Sequence, residues 1–163
     1  MTQTVLDGAQ PLLARIAEHV DGSGRTVAVA ESLTAGLIAT QLGAAEASST
    51  WFAGGVVAYT SETKYEVLGV ERGPVVTAAC AEQMAAGVAR LLRADVAVAV
   101  TGVGGPTEEE GKPAGTVFVG GCRGGRTVSE EHHLDGGPPE VLQATTLRAL
   151  DLLGRLLAEE SAH

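Results

Sequence analysis

Asp95-Val96-Ala97-Val98-Ala99-Val100-Thr101-Gly102-Val103-Gly104-Gly105-Pro106 is the stretch whose reading decides the fold. Five residues, Val96 to Val100, alternate Val and Ala with no polar side chain among them, and after Thr101 the chain breaks into glycines. An apolar run of that length, rich in β-branched residues and ended by turn residues, reads as a strand buried on both faces. Such strands belong to sheets with helices on either side. Thr26-Val27-Ala28-Val29-Ala30 repeats the pattern, and it too ends abruptly, at Glu31-Ser32.

Working outward, helix-period segments fall between the strands. Val5 to Val20 carries apolar residues at helical spacing and stops at Asp21-Gly22-Ser23-Gly24. Helices are predicted over about 34–42, about 63–68 and from Pro74 or Thr77 to about Arg93, with Thr77 as N-cap. Strands are predicted over 54–59, 95–101, 116–121 and 126–133. The last two form a hairpin through Cys122-Arg123-Gly124-Gly125. A final helix begins at Pro138 or Pro139 and runs to about Glu160. Strands alternating with helices give an α/β class: one three-layer α/β/α domain with a mostly parallel, mixed sheet, over residues 1–163.

Composition bounds the function. The chain has 163 residues, 45% apolar and 19% charged, which is enough to bury one core and excludes disorder as the main state. Aromatics are 3%, so that core is Ala, Val and Leu. The net charge of −9 argues against nucleic-acid binding through many phosphate contacts. No apolar stretch reaches the ~20 residues of a membrane span, and the first residues do not read as a signal peptide. Cys80 and Cys122 read as two free thiols, so the expected setting is cytoplasmic and reducing. Of the eleven basic residues only Lys64 and Lys112 are lysines.

In sheets of this kind function collects beyond the carboxyl ends of the strands. Three segments lie there. In Glu31-Ser32-Leu33-Thr34-Ala35-Gly36 a serine can point its hydroxyl outward, and a helix starting near Thr34 would offer free N–H groups to an oxyanion or phosphate. Ser32 or Thr34 as a simple N-cap is the alternative. In Tyr59-Thr60-Ser61-Glu62-Thr63-Lys64 a helix starting near Ser61 puts Lys64 on its first turn; a solvated surface lysine is the alternative. Thr101 to Pro106 is a glycine loop whose N–H groups can form an anion nest. It is neither a Walker A loop nor a dinucleotide fingerprint, because the spacings differ. His132 and His133 face opposite sides of a strand and do not make a metal site. Glu108-Glu109-Glu110 reads as a solvated acidic turn.

Taken in order, Ala30-Glu31-Ser32-Leu33-Thr34-Ala35-Gly36, Phe52 to Tyr59 with Lys64 and Leu68-Gly69-Val70, Thr101 to Pro106, and Gly111-Lys112-Pro113-Ala114-Gly115-Thr116-Val117 resemble the CinA C-terminal domain family of competence/damage-inducible proteins. The resemblance covers about residues 10–157. It implies a stand-alone form without the molybdopterin-binding-like domain that many members carry. It also implies a nicotinamide-nucleotide amidase of the PncC type, which turns nicotinamide mononucleotide into nicotinic acid mononucleotide and ammonia. By that resemblance Ser32 is the nucleophile, Lys64 the base, and Tyr59 assists the proton relay or orients Lys64. Glu31, Thr34, Gly36, Thr101, Gly102, Gly104, Gly105 and Thr116 would bind or polarise substrate. No metal or cofactor is implied, and the family generally forms dimers or higher oligomers.

The chemistry is coherent. A serine needs a base to become a nucleophile, and a lysine serves only when neutral. Moving its pKa from ~10.4 to ~7.5 takes roughly 4 kcal/mol, which burial can supply. Nearby Glu31 or Glu62 would oppose that, so both carboxylates are expected to point elsewhere or to meet another donor.

One segment departs from the family pattern. Where Gly-Asp-Arg and a second arginine four residues later are usual, this chain has Gly136-Gly137-Pro138-Pro139-Glu140-Val141-Leu142-Gln143. Both arginines, suited to a phosphate, are missing. Arg148 lies about two turns further on. The departure leaves two alternatives: a catalytically silent nucleotide-sensing or partner-binding domain, and an amidase for an amide without phosphate. Self-association is expected through a sheet edge and the apolar face of Leu147 to Leu157.

Overall fold

The computed structural model describes residues 4–160. Eleven elements follow in order: α1 (Ala9–Val20), β1 (Val27–Glu31), α2 (Leu37–Gly43), α3 (Ser48–Trp51), β2 (Phe52–Val57), α4 (Ser61–Leu68), α5 (Ala78–Leu92), β3 (Val96–Gly102), β4 (Thr116–Arg123), β5 (Arg126–His133) and α6 (Pro138–Ala158). The sheet order is β2-β1-β3-β4-β5. β1 pairs parallel with both β2 and β3, while β4 runs antiparallel between β3 and β5. Four of the five strands therefore point the same way, in a mixed, mostly parallel sheet.

The Val/Ala alternation acquires a meaning here. Val27, Val29, Val96, Val98 and Val100 face one side and pack with α1 and α6. Ala28, Ala30, Ala97 and Ala99 face the other and pack with α5. Successive strand side chains point to opposite faces, so the alternation builds one bulky and one thin side. On the thin side helix backbone comes close. A Cβ on Gly120 would stand 2.3 Å from the Ala81 carbonyl oxygen, which no side chain tolerates.

Local chemistry fixes the boundaries. Thr60 and Thr77 cap α4 and α5 by accepting from Thr63 N–H and Cys80 N–H. Gly69, at φ +71°, ends α4 in the left-handed conformation that glycine adopts freely. Gly124 and Gly125, both at positive φ, make the two-residue hairpin between β4 and β5.

Several expectations shift. The first helix begins at Ala9 rather than Val5, and the second at Leu37 rather than Thr34. α3, with buried Trp51 donating to the Glu46 carbonyl, has no counterpart in the sequence reading. The apolar face of Leu147 to Leu157 is not free for self-association. Leu150, Leu152, Leu153, Leu156 and Leu157 are buried within the chain, and α6 packs on α1 and the sheet.

The chain leaves β1 for β2 on one side and then returns to β3 on the other. The strand order thus reverses between β1 and β3, and a crevice opens beyond their carboxyl ends.

Candidate functional site

β1 ends at Glu31, and five residues of turn follow before α2. Ala35 at φ +49° and Gly36 at φ +106° bend this loop through the left-handed region, and Gly36 is the N-cap of α2. Glu31 holds the bend from below. Its carboxylate accepts from Thr34 Oγ1 at 2.5 Å, Ile38 N–H at 3.0 Å and Ala39 N–H at 2.9 Å. Glu31 and Thr34 are each 1% exposed. Both were expected at the substrate; in the structure their polar atoms are spent on each other and on the start of α2. The free amides expected at that helix end are likewise taken by Glu31. The consequence is a rigid platform that presents Ser32 to the crevice. Glu31→Ala would leave three buried donors unpaired and should cost about 2–4 kcal/mol of stability, read as a lower urea midpoint at unchanged slope.

Lys64 comes from the first turn of α4 and is 2% exposed, so the solvated alternative does not apply. Its Nζ donates to the Ala58 carbonyl at 2.9 Å and the Tyr59 carbonyl at 3.3 Å. The peptide carbonyl of Tyr59, not its phenol, touches the lysine. Burial lowers the Lys64 pKa from the ordinary value, opposed by Cys80, Glu109 and Glu110. Glu62, expected to point elsewhere or to meet another donor, is held on the surface by Arg72 at 2.7 Å. The Cys80 thiol stands beside the lysine and is pushed up to about 11 by burial. Thus it is no ready nucleophile. No hydrogen bond joins Ser32 Oγ to Lys64 Nζ in this state, where the amine is held by its two carbonyls.

The third segment divides. Gly102, Gly104 and Gly105 line a cleft of about 220 Å³ together with Ser32 and Tyr59. Thr101 does not: its hydroxyl donates to the Val75 carbonyl at 2.8 Å. Thr116 is buried with its Oγ1 unpartnered, and it is not on the cleft wall. A Cβ on Gly102 would lie 2.6 Å from the Thr116 carbonyl oxygen, so that glycine permits strand contact as well as access.

Four further residues complete the wall: Leu33, Glu109, Pro138 and Leu142. The sequence reading missed them as site residues. The acidic turn is also more than solvated surface. Glu110 accepts from Val75 and Val76 N–H groups, tying the loop to the segment before α5, and Glu109 faces the cleft. Only the spacing of Pro138 and Leu142, four apart at the start of a helix, offered a signal, because such positions share a face. His132 and His133 pair with Glu130 and Glu131 in the hairpin strand. Among the described residues no cluster of three or more His, Cys, Asp or Glu is placed to hold a metal. Among them, too, no helix is long and apolar enough to cross a membrane.

With that geometry in hand, relatives can be compared. The family model for the CinA C-terminal domain matches residues 9–157. A CinA-like protein of Frankia casuarinae is 41% identical over 138 residues, covering 82% of this chain and 32% of its own length. The chain spans about a third of the length of such curated relatives. Among solved structures, the competence damage-inducible protein A of Klebsiella pneumoniae superposes with a TM-score of 0.88 at 32% identity, covering 93% of this chain and 98% of that one. The competence/damage inducible protein CihA of Agrobacterium tumefaciens does so at 0.88 and 34%, covering 98% and 100%. By sequence and by fold, the chain belongs to the CinA C-terminal domain family.

Proposed function

We propose that this domain is a Ser/Lys amidohydrolase that converts nicotinamide mononucleotide to nicotinic acid mononucleotide and ammonia. The observation that carries the reading is Lys64: a buried lysine with a lowered pKa, at the same strand ends that present Ser32 to a cleft. A desolvated amine is the kind of base a serine nucleophile requires.

The reaction balances with water as the second reactant. Lys64 as free amine leaves its two carbonyls and takes the Ser32 proton, directly or through water. Ser32 Oγ adds to the amide carbon, and the oxygen takes the negative charge. The N–H groups of Leu33 and Thr34, or of Gly104 and Gly105, have no partner among the described residues and can hold that oxyanion. The Lys64 ammonium then protonates the leaving nitrogen, the C–N bond breaks, and ammonia departs. Water attacks the acyl-serine with Lys64 again as base, which releases the carboxylic acid and restores Ser32. Glu31, Thr34, Gly36, Thr101 and Thr116 act in this reading as positioning residues, by shaping the loops.

A second reading is favoured by one observation, the engagement of the Lys64 amine away from Ser32. In that reading the domain binds a nucleotide and does not turn it over. One experiment separates the two. Purified protein is incubated with nicotinamide mononucleotide, and ammonia and the acid product are both quantified against Ser32→Ala. Equimolar release above that background supports the amidase. Calorimetric binding with no release supports the sensor. Self-association belongs to the proposal through the open β2 edge, where Val57 and Tyr59 are exposed.

A further inference from the structure

We infer that the cleft favours carboxamides that carry a positive charge and no phosphate, so that a cationic pyridinium nucleoside is preferred over its 5′-phosphate. The inference rests on the amidase reading of this cleft and adds the charge of its substrate.

Among the described residues the cleft wall holds one charged side chain, and it is an acid, Glu109. No described lysine, arginine or histidine lines it. Lys64 is buried and off the wall with its amine on two carbonyls, and Arg148 is exposed on α6 and off the wall. The rest of the wall is apolar or neutral: Leu33, Pro138, Leu142 and the glycines. Tyr59, 65% exposed, also lines the cleft. Aromatic faces attract cations, and a carboxylate on the same wall strengthens that preference.

A phosphate could still be held by a helix N-terminus, through free N–H groups and the dipole. Here α6, the helix that contributes to the wall, is disarmed. Its first two positions are Pro138 and Pro139, which have no N–H to donate. Glu140 folds back over the same turn. Its Cβ lies 2.7 Å from where a Gly136 Cβ would stand, and its Oε2 lies 3.3 Å from the Gly137 position. The amides at the start of α2 are bonded by Glu31. The donors that remain, the N–H groups of Leu33, Thr34, Gly104 and Gly105, are neutral and are the ones a carboxamide oxygen needs. A phosphate dianion would therefore enter beside Glu109 with no cation to meet it. A pyridinium ring enters beside an anion.

The test is a competition within one protein sample. Ammonia release is measured with nicotinamide mononucleotide and with nicotinamide riboside, which presents the same amide without phosphate. Both binding affinities are measured on Ser32→Ala. The nucleoside should lead in kcat/KM and in affinity by about tenfold or more, the contrast that ~1.4 kcal/mol of charge interaction supplies. Glu109→Gln should shrink the ratio several-fold, and Leu142→Arg should reverse it. Ratios from one sample cancel any loss of folded protein. Equal or better kcat/KM and affinity for the nucleotide would overturn the inference and leave the amidase standing. Release from neither compound would overturn the amidase; the affinity ratio would then still decide the charge preference of the cleft.

Discussion

Ser32→Ala should lower ammonia release by about 10⁴-fold or more, the range seen when a serine nucleophile is removed from comparable sites. Its unfolding free energy should stay within about 0.5 kcal/mol of wild type, as for substitutions that break no buried contact. The first half follows from the proposed role of Ser32, the second from its surroundings. Ser32 lines the cleft, and among the described residues no side-chain hydrogen bond ties it into the fold. The loop is fixed by its neighbour Glu31, through Thr34, Ile38 and Ala39. Deleting one hydroxyl leaves that frame intact, so substrate should still bind with near wild-type affinity in calorimetry. Residual turnover above about a tenth of wild type would remove Ser32 from the chemistry. Loss of binding together with turnover would make it a positioning residue.

The contrast between Glu31 and Glu109 explains what could be read from sequence. Both are acids at strand-end loops; the family resemblance put Glu31 among the substrate-binding residues, and the residue string put Glu109 in a solvated turn. In the structure Glu31 is buried against the start of α2, and Glu109, though exposed, lines the cleft. Glu31 is inward because β1 is buried on both faces up to its last residue, so a carboxylate there must find donors, and the loop supplies them. Glu109 is on the cleft because residues 102–115 double back, with Glu109 and Lys112 bridging each other's backbone. Nothing in local periodicity encodes that return. β1 and β3, by contrast, were legible because burial on two faces leaves a continuous Val/Ala signature. Glycine boundaries were legible for the same local reason, as at Gly69 and Gly124-Gly125. α3 was not, since one helical turn around Trp51 carries no period of its own. The self-association argument failed at α6 because an apolar helix face looks alike whether it meets a partner or its own sheet. The placement of Ser32 and Lys64 at neighbouring strand ends was legible because each sits at a fixed offset from one of two strands that the sheet pairs.

Lys64→Met should carry the other large effect, a fall in kcat/KM of at least about 10³-fold, the upper part of what a general base contributes. The stability change should have a pH dependence of defined sign. Burial disfavours the ammonium, so the folded pKa lies below the ordinary lysine value of 10.5. Between the folded value and 10.5 the unfolded chain binds the extra proton, and stability rises with pH. Below that window both states are charged and the folded protein carries the full penalty of burying the cation. Methionine fills a similar volume and has nothing to titrate. Its variant should therefore gain most on wild type below the window, and lose that advantage as pH rises through it. The Ala58 and Tyr59 carbonyls lose their donor in the variant, which offsets part of the gain at every pH. In activity the same group should produce a rising limb below the usual lysine range in the wild-type pH profile. Lys64→Arg decides what the lysine is for. An arginine keeps the charge but cannot give up its proton in this range. If Lys64 is the base, arginine should be as inactive as methionine and show no rising limb. Activity restored by arginine would make the residue a fixed positive charge, and the serine would need another base.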